Sequence, residues 1–152
     1  MEGPRAAEFR SARIEEALDG ASEVVQTRGF SPLERGASRG FLVESATDVR
    51  EESMRSGTCY VVLAAASAEM RELDVRIYDS GGVEVVGDAS EGAQAALRFC
   101  PSQSGTYFVA VRAAAGAGLF EVRTFRGPTG LEIRTDDLFR ELVAPEPGRE
   151  GR

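Results

Sequence analysis

The two cysteines are the residues of this chain best suited to covalent chemistry. Cys59 begins one predicted strand and Cys100 ends another. If these strands run antiparallel, the start of the first strand and the end of the second lie at the same edge of the sandwich, so a disulfide between Cys59 and Cys100 is feasible. It would indicate an oxidising compartment, and therefore export. The alternative is two unrelated buried thiols, whereas a zinc site would need further ligands.

The other residue types predict a protein that is not an enzyme. Histidine is absent from all 152 residues, which removes the usual general base and the commonest metal ligand. The sequence also lacks a phosphate-binding Gly-x-x-x-x-Gly-Lys loop and a His-Glu-x-x-His motif. The 25 acidic residues make some carboxylate pair inevitable, but they single out none.

Charge and hydrophobicity exclude two classes of partner. The net charge is −7, all basic residues are arginines, and these form no basic face, so we expect no nucleic-acid partner. No apolar run reaches the roughly 18 residues of a membrane span. The N-terminus does not read as a signal peptide, so we expect either a mature or truncated form of an exported protein or, as the alternative, a cytoplasmic one.

Alternating hydrophobic residues predict an all-β fold. In Arg71–Asp79, Leu73, Val75 and Ile77 alternate with polar residues, and Ser80-Gly81-Gly82 turns this strand into the next. The predicted strands cover residues 41–44, 48–54, 71–79, 83–87, 94–100, 106–114 and 119–125, with another beginning at Cys59. Such spacing indicates an antiparallel β-sandwich, jelly-roll-like in topology.

The two ends of the chain are predicted to be less regular. A helix is expected from Arg5 to Asp19, stopped by Gly20, with irregular chain and short edge pairings up to Arg39. Leu131–Ile133 is predicted as an edge strand, followed by a helical turn from Thr135 to Leu142 and a disordered tail. The predicted organisation is an N-terminal helix or linker at 1–20, the sandwich at 21–134 and a tail at 135–152.

Several of these strands resemble a known family. Gly57–Val62, Glu72–Asp79, Phe99-Cys100-Pro101 and Ser104–Val111 resemble the bacterial pre-peptidase C-terminal domain. That family is a small β-sandwich appended to secreted peptidases and other exported bacterial proteins. The resemblance covers about residues 39–126, and Ser104-Gly105-Thr106-Tyr107 is its most specific part. It implies a periplasmic or extracellular protein.

Four acidic residues are candidates for a calcium site. Glu72, Asp74, Asp79 and Asp88 lie around one predicted hairpin, and some members of the resembling family bind calcium. Solvated strand and turn carboxylates are the alternative, because the spacing of a calcium-binding loop is missing and Asp74 and Asp79 fall on opposite strand faces. No other cofactor is predicted.

Two functions remain open at this point. The first is a non-catalytic accessory or binding module of an exported bacterial protein, which contacts a protein or a polysaccharide. The second is a structural subunit whose N-terminal helix docks against a neighbour. The oligomeric state and the identity of the partner do not follow from the sequence.

Overall fold

The computed structural model describes residues 3–89, 92–131, 133–135, 138 and 139, with the backbone alone over residues 3–12. In this part of the chain one helix precedes eight strands. The elements are α1 Gly3–Thr27, β1 Ser31–Leu42, β2 Thr47–Met54, β3 Thr58–Ala66, β4 Met70–Tyr78, β5 Glu84–Asp88, β6 Gln94–Phe99, β7 Gly105–Gly116 and β8 Gly118–Pro128.

The strands form two four-stranded sheets packed face to face. One sheet has the order β1-β8-β3-β6 and the other the order β2-β7-β4-β5, and all these neighbouring strands pair antiparallel. Eight strands in this order form a jelly roll. We call the first sheet the helix-covered sheet and the second the open sheet. The predicted all-β, jelly-roll-like sandwich with an N-terminal helix is confirmed.

Apolar residues on alternate positions fill the space between the sheets. Leu73, Val75 and Ile77 of β4 are fully buried there, as the period of the sequence predicted, together with Val109 of β7 and Val62 of β3. A second apolar cluster lies on the other side of the helix-covered sheet, under α1. The described chain therefore has three layers: helix, sheet and sheet.

The helix is longer than the sequence predicted, and the expected stop at Gly20 is wrong. Leu18 and Ala21 flank Gly20 and are fully buried, so packing against the sheet holds the helix through this glycine. It ends instead in a Schellman motif, because Gly29 has a φ of 108° and the N–H of Phe30 donates to the carbonyl oxygen of Val25 at 3.2 Å.

The segment before residue 40 was also predicted incorrectly. Val24 and Val25 belong to α1, and Ser31–Leu42 forms a long edge strand in place of irregular chain. Its register shifts between Pro32 and Ala37, where Arg35 takes a φ of 69°. An edge strand accommodates such a bulge, and it also accepts proline because one row of its backbone groups is not needed for pairing.

The C-terminal segment covers the helix-covered sheet beside α1. Leu131 and Ile133 are not in a strand, which corrects the predicted edge strand; residue 132 is outside the described residues. Thr135 lies in a 3₁₀ turn and residues 138 and 139 are helical, while the rest of the predicted helical turn and the tail lie outside the described residues. None of the described helical segments is long and apolar enough to cross a membrane.

Candidate functional site

A groove of about 380 Å³ opens at one end of the sandwich. It lies between the β4–β5 turn and the β6–β7 loop, and we call it the end groove. Its volume falls within the roughly 300–1,000 Å³ range of small-ligand pockets. The lining residues are Asp79, Ser80, Val85, Phe99, Cys100, Ser102, Gln103, Ser104, Gly105, Thr106 and Tyr107.

The first wall is a turn organised by Asp79. One oxygen of its carboxylate, Oδ1, accepts hydrogen bonds from the backbone N–H groups of Gly81 and Val83, both at 2.9 Å. Gly82 has a φ of 85°, a conformation that glycine adopts without strain. The turn thereby uses one oxygen of Asp79 to fix its own shape.

The second wall is the loop from Cys100 to Ser104, which is anchored at three points. The disulfide holds its first residue, and the Tyr107 hydroxyl donates to the carbonyl oxygen of Gln103 at 2.6 Å. Ser104 Oγ accepts a hydrogen bond of 2.9 Å from the backbone N–H of Ser56. These anchors reduce the conformational entropy that the loop would lose on binding a ligand.

Two aromatic rings form the apolar part of the groove. Phe99 ends β6 and Tyr107 lies near the start of β7, and their ring centres are 5.2 Å apart in an edge-to-face arrangement. This geometry is favourable for aromatic pairs. Around the rings lie the exposed side chains of Ser80, Ser102 and Gln103. The groove thus combines an aromatic base with hydroxyl and amide groups.

The lining carries little charge. Among its residues Asp79 is the single carboxylate, and no arginine lines the groove. A pair of carboxylates, as general acid–base hydrolysis requires, is therefore not formed by these side chains. The same arrangement can donate and accept hydrogen bonds at several neighbouring points.

The structure joins Cys59 and Cys100 in a disulfide. Tyr60 and Phe99 are directly paired across β3 and β6, so the two cysteines are the next pair along the same antiparallel ladder. Cys59 is completely buried under the helix, whereas Cys100 is exposed and lines the end groove. The bridge therefore connects the interior of the helix-covered sheet to the groove wall.

The four calcium candidates do not meet at one point. Glu72 lies near the start of β4 and Asp79 directly follows the end of that strand, a separation of about 23 Å for extended chain. Asp74 is buried beside Arg76 at 3.5 Å, and one oxygen of Asp88, Oδ2, accepts a hydrogen bond of 2.9 Å from the backbone N–H of Ala96. Among the described residues no three Asp, Glu or Cys side chains are grouped as metal ligands. The predicted acidic cluster is thus dispersed along the hairpin.

The sequence analysis named some of the groove residues, but it did not predict that they lie together at one end of the sandwich. Ser104–Tyr107 was interpreted as fold-determining, and the structure adds that Thr106 and Tyr107 line the groove. Ser80 was predicted only as a turn residue, and no functional role was predicted for Ser102 or Gln103. The relevant signal was two serine-containing turns, one following β4 and one following β6, which the jelly-roll topology brings to the same end.

The comparisons with known proteins found similar solved structures. No family model and no curated protein matches the chain. Similar solved structures include the pre-peptidase C-terminal domain of a collagenase from Bacillus anthracis, with 15% identity over 58% of this chain and 86% of that one and a TM-score of 0.49. PliG, a periplasmic inhibitor of g-type lysozyme from Aeromonas hydrophila, has 12% identity over 64% and 86% of the two chains and a TM-score of 0.48.

A third similar structure is titled "CBM4 structure and function", with 12% identity over 64% of this chain and 74% of that one and a TM-score of 0.42. A pre-peptidase C-terminal domain is among the solved structures that this chain resembles.

Proposed function

We propose that this chain is a non-catalytic binding module of an exported protein, and that its end groove holds a neutral, hydroxyl-rich carbohydrate. The observation that carries the proposal is the composition of the groove: an aromatic pair surrounded by hydroxyl and amide side chains on two anchored loops. The half-buried ring of Phe99 offers an apolar surface to the faces of a sugar ring, and the hydroxyl groups of a sugar need partners that both donate and accept.

The charge of the lining favours a neutral ligand over an anionic one. Asp79 is the single carboxylate of the groove, and its Oδ1 is already engaged by two backbone N–H groups. Phosphate and carboxylate ligands are usually held by arginine or by free N–H groups, and no arginine lines this groove. A neutral polysaccharide therefore fits the site better than a phosphorylated or acidic one.

Export is part of this proposal. The disulfide supports it, because such bonds persist in oxidising compartments such as the periplasm and the extracellular space. The alternative role, docking through the helix, has less support. The apolar stripe of α1 at Ile14, Leu18 and Val25 is already buried against the chain's own sheet.

The test is an NMR titration with neutral oligosaccharides of several linkage types. We expect shift changes confined to residues 79–85 and 99–107. Gln103→Ala and Ser102→Ala should weaken binding, whereas Ser53→Ala, which changes an exposed serine on β2, should leave it unchanged. Absence of binding by every oligosaccharide, or shifts confined to another surface, would contradict the proposal. If the groove bound an extended peptide and none of the oligosaccharides, the partner would be a protein.

A further inference from the structure

The two cysteines of the disulfide differ in exposure. Cys59 has no exposed surface and lies in the apolar cluster beneath α1. Cys100 is exposed and lines the end groove. A thiol in solution can therefore approach the bridge from the Cys100 side, whereas helix and sheet shield the Cys59 side. Access decides which sulfur of a disulfide is attacked in thiol exchange.

The buried sulfur also has a cationic neighbour. Nη2 of Arg98 lies 3.6 Å from Cys59 Sγ, and the same nitrogen donates to the carbonyl oxygen of Leu131 at 2.8 Å. The carbonyl contact holds the guanidinium in place beside the sulfur. Burial in an apolar cluster disfavours a thiolate, and the positive charge of Arg98 offsets this cost at Cys59. A more stable thiolate leaves a disulfide faster.

We propose that Cys100 is a site of reversible S-thiolation by a low-molecular-weight thiol, with Cys59 as the leaving thiolate stabilised by Arg98. The incoming thiolate, whose proton has gone to solvent, attacks Cys100 Sγ. The S–S bond breaks and its electron pair leaves on Cys59 Sγ. The products are a mixed disulfide on Cys100 and a thiolate on Cys59, with no net oxidation or reduction.

The reverse step restores the starting protein. The Cys59 thiolate attacks Cys100 Sγ and expels the small thiol. The chain has two cysteines, so no third thiol of its own competes with this step. While the mixed disulfide lasts, its substituent stands at the wall of the end groove, next to Phe99 and Ser102.

The first test treats the folded protein with glutathione, alkylates free thiols in denaturant after short times, and maps both cysteines by peptide mass spectrometry. We expect glutathione on Cys100 and the alkyl group on Cys59. Glutathione on Cys59, equal labelling of both residues, or an intact disulfide until the protein unfolds would each overturn the proposal.

The second test separates the role of Arg98 in exchange from a structural role. Arg98→Gln should slow the exchange severalfold, and Arg98→Lys, which keeps a positive charge, should restore much of the rate. Arg112→Gln, which changes an exposed arginine on β7, is the control and should leave the rate unchanged. If Arg98 were only structural, Arg98→Gln would loosen the fold and accelerate exchange. A faster exchange in Arg98→Gln would show that Arg98 does not stabilise the Cys59 thiolate.

Discussion

The Tyr107 hydroxyl donates a hydrogen bond of 2.6 Å to the carbonyl oxygen of Gln103 and so ties the start of β7 to the loop that forms one wall of the end groove. The tyrosine ring is buried at the base of the groove, where it contacts Phe99 edge to face. One side chain thus supplies the apolar base of the site and fixes the position of its polar wall.

We expect Tyr107→Phe to lower the free energy of unfolding by about 1 kcal/mol, the usual net value of one hydrogen bond. The loop should also exchange its amide hydrogens faster and bind ligand more weakly. Tyr60→Phe is the matched control, because the Tyr60 hydroxyl accepts from the backbone N–H of Arg55 at 2.9 Å, outside the groove. Urea denaturation and hydrogen exchange measure both variants. Equal loosening of the loop in the two would contradict this role.

The ion pairs around Glu121 should contribute more than exposed pairs. Glu121 is buried, and one of its oxygens, Oε2, lies 2.9 Å from Nε of Arg123, which also reaches Asp19 at 2.7 Å. Arg123→Gln should cost about 1–3 kcal/mol, because it leaves a buried carboxylate with one partner fewer. Arg71→Gln breaks an exposed pair with Glu44 and should cost less than about 0.5 kcal/mol. Similar losses of unfolding free energy in the two variants would be inconsistent with this difference.

Glu52 should make stability depend on pH. Burial raises the pKa of Glu52 above 4.5, and the neighbouring Arg50 offsets this only in part. The folded state then binds the proton more tightly than the unfolded state, so ionisation of Glu52 lowers stability as the pH rises above 4.5.

The stability of Glu52→Gln relative to the wild type should therefore increase as the pH is raised above 4.5. Denaturation curves at a series of pH values measure the difference. Glu51→Gln makes the same change of charge at an exposed neighbouring position and is the control. A relative stability of Glu52→Gln that stays flat or falls with pH would show that burial does not dominate at this site.

The helix should unfold together with the sandwich. Leu18 is fully buried between α1 and the helix-covered sheet. Leu18→Ala should lower the unfolding free energy by about 2–5 kcal/mol, and a single transition should remain. Glu16→Ala, at an exposed position of the same helix, should have little effect. Helix loss in a separate transition, followed by circular dichroism, would show that α1 is an independent unit.

The sequence predicted best where local pattern and tertiary packing agree. From Thr47 onward turn residues separate the strands along the sequence, and the predicted positions of these strands were close to those observed. The errors fall where packing overrides local signals. Gly20 resembles a helix stop, yet Leu18 and Ala21 hold the helix in place. Pro32 and Gly36 resemble strand breakers, yet an edge strand with a bulge accommodates both.

The end groove could not be predicted from sequence patterns for a different reason. Its two walls are separated along the chain by β5 and β6, and only the jelly-roll topology places them together. Turn composition showed that Ser80 and Ser104 lie in loops, but the convergence of these loops is a property of strand order. The aromatic base arises in the same way, from residues at the end of β6 and the start of β7.

The inward charges of β2 have a consequence for association between molecules. Arg50 and Glu52 lie opposite Val109 and Tyr107, on the inner face of an edge strand, and Arg50 also donates to the carbonyl oxygen of Arg35 in β1. A foreign strand pairing with β2 would have to remove this ion pair further from water. Charges in such a position are a known protection against edge-to-edge aggregation. The partly buried carboxylate of Glu52, whose ionisation lowers stability as the pH rises, thereby helps to keep β2 the last strand of its sheet.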